Sequence, residues 1–125
     1  RKTLKPLITA WMDIAINALM TLDPDSQRRL WFIVDELPAL QKLPSLEAAL
    51  AESRKYGGCL MAGIQSFPQL INIYGHSTSQ ALLDLFNTKI FFRSTDPNTT
   101  SWISMFLGRQ KRKKYRKIFL MVLIP

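Results

Sequence analysis

An α/β domain built on a parallel sheet is the fold class this sequence predicts, and three observations predict it. Short apolar runs recur at Leu30–Val34, at 58–64 and at 89–92. Stretches with apolar residues at helical spacing lie before, between and after them. The first two runs end in polar residues, Asp35-Glu36 and Gln65, where strand carboxyl ends would fall. An apolar run without polar alternation fits a strand covered on both faces, as in the parallel sheet of an α/β domain. The order helix, strand, helix, strand, helix, strand, helix predicts right-handed crossovers. We therefore expect adjacent parallel strands at about 29–35, 58–64 and 88–93, with helices over the sheet and Asp35 and Gln65 at one edge.

The first helix is expected over about 4–22. Leu4, Leu7, Ile8, Trp11, Ala15, Ala18, Leu19 and Leu22 follow helical spacing, and Pro6 suits a first turn. The turn Asp23-Pro24-Asp25-Ser26 closes it. After the first strand, a proline-punctuated loop leads from Leu37 to Pro44. Ser45 is a candidate N-cap for a helix over 46–56, with Gly57 just past its end. Gly63 is small enough for a covering helix to approach the second strand. A short helix is expected from Ser66-Phe67-Pro68 to about Tyr74, and another from a Ser77 or Thr78 cap to about Phe86. The third strand ends in Arg93. Asp96-Pro97 pairs an N-cap with proline at N1, and Gly108 closes the last helix.

Composition removes several kinds of chemistry. One cysteine, Cys59, excludes an internal disulfide and a cysteine metal cluster. One histidine, His76, next to Gly75, reads as a loop residue, so neither a zinc site nor a Ser-His-Asp triad can be assembled. The net charge is +8, but Arg109, Lys111, Arg112, Lys113, Lys114, Arg116 and Lys117 supply seven of the positive charges. The remainder has ten basic and nine acidic residues, too even a balance for a nucleic-acid-binding face across the domain. The chain begins with Arg1 rather than Met, which predicts a piece of a longer protein.

An apolar strand ending in Asp-Glu has the pattern of a Walker B motif. In that motif the Asp holds Mg²⁺ through its water shell and the Glu polarises the attacking water. A strand ending in two solvated acids has the same pattern over Leu30 to Glu36. Gln65 adds an amide able to touch both water and phosphate. Alone it is an ordinary strand-end residue; converging with the carboxylates, it completes a nucleotide-hydrolysis layout.

The stretch Arg28-Arg29-Leu30-Trp31-Phe32-Ile33-Val34-Asp35-Glu36-Leu37-Pro38-Ala39-Leu40-Gln41-Lys42-Leu43 resembles the coupling proteins of bacterial conjugation and type IV secretion, the TraD/TrwB/VirD4 group. So do Gly63-Ile64-Gln65-Ser66, Gln69-Leu70, Tyr74-Gly75 and the run from Asp96-Pro97-Asn98-Thr99-Thr100 to Leu107-Gly108. The resemblance covers about residues 4–108 and is strongest to the TraD proteins of F-like plasmids. It implies a partial RecA-like P-loop ATPase fold, the Walker B half only. The parent would be a hexameric motor at the cytoplasmic face of the bacterial inner membrane. It would link the relaxosome to the secretion channel and use ATP and Mg²⁺ to move single-stranded DNA. Carried over by position, Asp35 resembles the Mg²⁺ carboxylate, Glu36 the catalytic glutamate and Gln65 the glutamine that senses the γ-phosphate. Arg54 matches an arginine that reaches a neighbouring subunit's nucleotide; otherwise it is a solvated helix-end charge. Arg93 reads first as a solvated residue, and second as part of a DNA or subunit surface. The implied partners are identical motor subunits, a relaxosome protein of TraM type, single-stranded DNA and components of the secretion channel.

Two departures qualify the resemblance. No G-x-x-x-x-G-K-[ST] occurs, so the backbone cradle and lysine for the phosphates are missing. In the family they lie upstream, so 1–108 is expected to be the C-terminal half of a motor domain. Second, the resemblance stops at Gly108. Residues 109–125 pair a basic run with a seven-residue apolar run, Ile118 to Ile124, too short to span a bilayer. This tail can be an edge strand, a basic membrane-surface anchor, or a frameshifted end. One reverse translation of it, read two nucleotides later, encodes a polar, helix-compatible continuation.

Three function classes follow. The chain is part of an ATP-driven DNA-transfer motor; or an inactive truncated fragment acting at most as a protein-interaction module; or a basic-tail nucleic-acid binder. The missing phosphate loop favours the second over the first for this chain by itself. Confinement of the charge to the tail argues against the third, and the salt dependence of DNA binding with and without 109–117 separates it from the others.

Overall fold

A computed structural model describes residues 4–92 and 96–107, and the backbone of the strand Phe119–Val122. Its elements are α1 (Lys5–Met20), β1 (Leu30–Val34), α2 (Leu46–Glu52), β2 (Gly58–Gly63), α3 (Phe67–Tyr74), α4 (His76–Leu85), β3 (Thr88–Phe91), α5 (Pro97–Phe106) and β4 (Phe119–Val122). The fold is α/β, a small sheet flanked by helices, as expected.

The sheet order is β1-β2-β4-β3. β1 and β2 pair in parallel, with Leu30 opposite Gly58 and Val34 opposite Ala62. β4 is antiparallel to both β2 and β3. Strands β1, β2 and β3 therefore run the same way, but β3 is not the neighbour of β2. The expectation of three adjacent strands is corrected by the tail, whose apolar segment occupies the position between them. The same finding corrects the edge-strand reading of the tail: 119–122 is paired on both sides. The expected ends at Arg93 and Gly108, and the basic run 109–117, lie outside the described residues.

β1 corrects a second expectation. Its run is apolar throughout, yet only one face is covered. Phe32 and Val34 turn toward Leu60, Ala62 and Ile64 in the core, while Trp31 and Ile33 are 45% and 66% exposed. In a strand alternate residues take opposite faces, and no described element packs over the second one. Among the strands whose burial is described, only β2 is enclosed along nearly its whole length.

α1 has the expected period but a different phase. Thr9, Ile16 and Leu19 are buried, with Met12 and Met20 against the core. Leu4, Leu7, Ile8 and Trp11, expected on the buried side, are exposed. Thr9 turns inward because its hydroxyl is used twice. It donates to Lys5 O (2.9 Å) and accepts from Gln41 N (3.3 Å).

Local chemistry explains the remaining boundaries. Gly57 ends the second helical segment in the left-handed region (φ +80°), where glycine is favoured. That segment is α2 to Glu52 and then a 3₁₀ turn, Ser53–Tyr56, not one helix over 46–56. The Ser45 side chain does not cap α2; its backbone N–H donates to Asp13 Oδ1 (2.9 Å) instead. α4 opens at His76 after Gly75, so Ser77 and Thr78 lie inside it and His76 is helical rather than a loop residue. Asp96 caps α5 as expected, accepting from Thr99 N–H at 2.7 Å, with Pro97 at N1. The core gathers Ile16, Leu46, Leu60, Leu70, Leu82 and Phe86, each at most 4% exposed.

Candidate nucleotide site

Parallel pairing of β1 and β2 carries both chains to one sheet edge. With Val34 opposite Ala62, the next residues, Asp35 and Gly63, also meet. A Cβ at Gly63 would run into the Asp35 carbonyl oxygen. Gly63 therefore admits the neighbouring strand's backbone, not a covering helix. Two residues later stands Gln65, its backbone N–H facing the Glu36 carboxylate. Asp35, Glu36 and Gln65 are thus brought together at the carboxyl edge, where α/β sheets collect ligands.

The two acids differ in setting. Asp35 is exposed. Glu36 is half-buried, and both its carboxylate oxygens are shielded from water without a complete hydrogen bond to a described residue. Burial pushes its carboxyl above the ordinary range and the Asp35 charge adds to this; the Gln65 N–H opposes them without cancelling them. A carboxylate in that state is a stronger base than an exposed one.

The turn after Glu36 is held from several sides. Leu37, 1% exposed, plugs into the core, and Ala39 N–H donates to Glu36 O (2.9 Å). Further on, Leu43 N–H donates to the Tyr74 hydroxyl (3.2 Å), and burial pushes that phenol's pKa up. Neither Gly63 nor Tyr74 was picked out as a site support from the sequence. Their Gly-Ile-Gln and Tyr-Gly settings were visible, but their contacts are not local.

Arg54 is not part of this cluster. It is exposed on the 3₁₀ turn before β2, so it lies at the amino edge of the strands. A five-residue strand separates the edges by roughly 16 Å. Its guanidinium makes no ion pair or hydrogen bond with a described residue, and it lines a shallow hollow with Ser26, Ala51, Glu52 and Lys55. Among the described residues no group of three His, Cys, Asp or Glu side chains could enclose a metal. Asp35 offers one hard oxygen donor, which suits Mg²⁺ bound mainly through water and phosphate but not a dedicated protein cage.

The profile of the family described as type IV secretion-system coupling protein DNA-binding domain matches residues 1–119. The chain belongs to the type IV secretion coupling proteins. It is 43% identical over 112 residues to coupling protein TraD of Escherichia coli K12, covering 90% of this chain and 16% of TraD. It is 31% identical over 94 residues to the coupling protein VirD4 of Bartonella henselae, covering 75% of this chain and 15% of VirD4. Among solved structures, TrwB in complex with ADP and Mg²⁺ superposes with a TM-score of 0.80 at 36% identity, covering 97% of this chain and 30% of TrwB. TrwB with the GTP analogue GDPNP gives 0.80 at 37%, covering 92% and 30%. The fold is thus a partial RecA-like motor fold of the coupling-protein family. The chain spans about a sixth of the length of the curated relatives it matches.

Proposed function

We propose that this chain carries the water-activating half of the ATP site of a conjugative coupling protein. The intact protein would link the relaxosome to the type IV secretion channel at the cytoplasmic face of the inner membrane and drive transfer of single-stranded DNA. The observation that carries the reading is the convergence of Asp35, half-buried Glu36 and Gln65 at one sheet edge. Bound Mg²⁺–ATP would supply the electrophilic phosphoryl group. Asp35 would hold the metal's water shell. Glu36 would orient water and take its proton, helped by its raised basicity. Gln65 would contact the γ-phosphate side. Arg54, on the opposite edge, would serve a neighbouring subunit of the hexamer. A relaxosome protein of TraM type and the channel components would be its other partners. No described helix is long and apolar enough to cross a membrane. Residues 1–108 would form the motor part and 109–125 a basic and apolar tail, of which 119–122 pairs within the sheet between β2 and β3.

A second reading has its own support. The sequence contains no phosphate loop, which favours a fragment that is inactive by itself and acts at most as a protein-interaction module. Both readings expect purified 1–125 to show no metal-dependent ATP turnover. They separate when residues 4–107 replace the matching segment of full-length Escherichia coli TraD. The motor reading expects turnover that Glu36→Gln reduces by about a thousandfold with ATP still bound. A chimera that turns over equally well with Glu36→Gln overturns it.

A further inference from the structure

Gln65 is exposed, and its side chain makes no hydrogen bond among the described residues. What fixes it must act through its backbone. On one side stands Ile64, 3% exposed in the core. On the other, two residues along, stands Phe67 at the start of α3. The first N–H groups of a helix lack partners inside it. Ser66, in the cap position, gives no side-chain cap. The Phe67 N–H instead donates to Thr99 Oγ1 (3.0 Å), from α5, thirty-two residues away. Thr99 is 1% exposed.

Thr99 is itself anchored. Its backbone N–H donates to the Asp96 carboxylate at 2.7 Å, and its side chain and backbone N–H together hold the Asp96 carboxyl below its ordinary range. One turn further on α5, the Trp102 ring stacks on the Phe67 ring, with centroids 5.4 Å apart at 25°. The Trp102 indole N–H donates to Gln80 Oε1 (3.2 Å), which ties the grip to α4. α5 therefore holds Phe67 by both backbone and ring. Gln65 is tethered between two buried anchors only three residues apart.

We propose that Thr99 is a positioning residue for Gln65: through the Phe67 N–H it fixes the backbone that presents the amide to the nucleotide. The proposal rests on the role assigned above to Gln65. It makes α5 and its Asp96 cap a part of the site, although no hydrogen bond or ion pair among the described residues joins either to Asp35 or Glu36.

Two measurements test it separately. In the 125-residue chain, Thr99→Val removes the hydroxyl at nearly constant shape. Amide exchange at Phe67 should then accelerate about tenfold beyond any change in global unfolding by urea, and Thr99→Ser should restore protection. Should the Val variant fail to fold, Thr99→Ala takes its place. Unchanged exchange at Phe67 overturns the latch. In the TraD chimera, Thr99→Val should lower kcat about tenfold with ADP affinity unchanged and Thr99→Ser near wild type. In a Gln65→Ala background the Thr99→Val loss should disappear, because the two residues act on one path. A loss of equal size there overturns the positioning role, since a general weakening of α5 would persist. If Glu36→Gln leaves the chimera's turnover intact, the hydrolysis reading and the role of Thr99 in it both fall, while exchange at Phe67 still decides the latch.

Discussion

Glu36 stands at the end of β1 with both carboxylate oxygens shielded and incompletely paired, and that state has a cost that depends on pH. Burial, then the Asp35 charge, raise its folded pKa above the value in the unfolded chain. Between those two values the folded state binds more protons than the unfolded one, so stability falls as pH rises through the window. Below it both states are protonated and the penalty is absent; above it the penalty is complete. Glu36→Gln removes the titration. We expect Glu36→Gln to stabilise the chain by about 1 kcal/mol at neutral pH. The gap should close as pH falls through the raised value into the ordinary carboxyl range. Urea denaturation at neutral and acid pH checks this. A gap independent of pH would mean the carboxylate is adequately solvated. The same variant removes the proposed base, so stability and turnover should move in opposite directions, the trade expected where a site holds a shielded charge.

Single elements divide into those whose cause is local and those whose cause is not. The glycine at 57, the Asp96-Pro97 start of α5 and the period of α1 were legible because a residue and its near neighbours decide them. So was the meeting of Asp35 with Gln65, because two parallel apolar runs with polar ends leave little choice. The phase of α1 was not legible, since Gln41, thirty-two residues away, draws Thr9 inward. Nor was the bare face of β1, because an apolar run says that burial is possible, not what covers it. The place of β4 depends on a gap between β2 and β3 that no local pattern encodes. Gly63 belongs to this second group, and it gives an element-scale prediction. Its backbone needs no special dihedral, but a Cβ would meet the Asp35 carbonyl. Backbone cannot rotate away as a side chain can, so Gly63→Ala should cost about 3 kcal/mol, the upper end for overpacking. Gly75 is the control. It has φ +84° and ψ 161° with open space around it, so Gly75→Ala should cost only that glycine-favouring backbone conformation, about 1–3 kcal/mol, and no clash. A loss for Gly63→Ala below about 1 kcal/mol in denaturant titrations would show that β1 yields at Asp35. Because the Gly63 clash falls on the backbone of Asp35, the carboxylate proposed to hold the metal's water shell, Gly63→Ala should also impair turnover in the chimera.

At the scale of the whole molecule, the two edges of the sheet carry different parts of the proposed reaction. Asp35, Glu36 and Gln65 share the carboxyl edge, and Arg54 stands at the amino edge without an ion-pair partner among the described residues. One subunit cannot bring both to one nucleotide when a strand's length lies between them. A ring can, because a heterologous interface sets one edge of each subunit against a different surface of the next. In that arrangement the guanidinium of one subunit would stabilise charge on the phosphoryl group held by its neighbour, an effect worth roughly 10³–10⁵ in rate for arginine fingers. Lysine keeps the charge but lacks the planar fork that engages two oxygens. Arg54→Lys in the chimera should therefore abolish most turnover and leave ATP binding and folding intact. Mixing Arg54→Lys with Glu36→Gln subunits should restore part of it, because mixed rings contain interfaces that pair an intact Glu36 with an intact Arg54. Steady-state ATP turnover across mixing ratios reads this directly, with a maximum at intermediate ratios that neither parent shows. Normal turnover by Arg54→Lys alone, or mixtures that never exceed the parents, would return Arg54 to a solvated charge at the end of a helical turn.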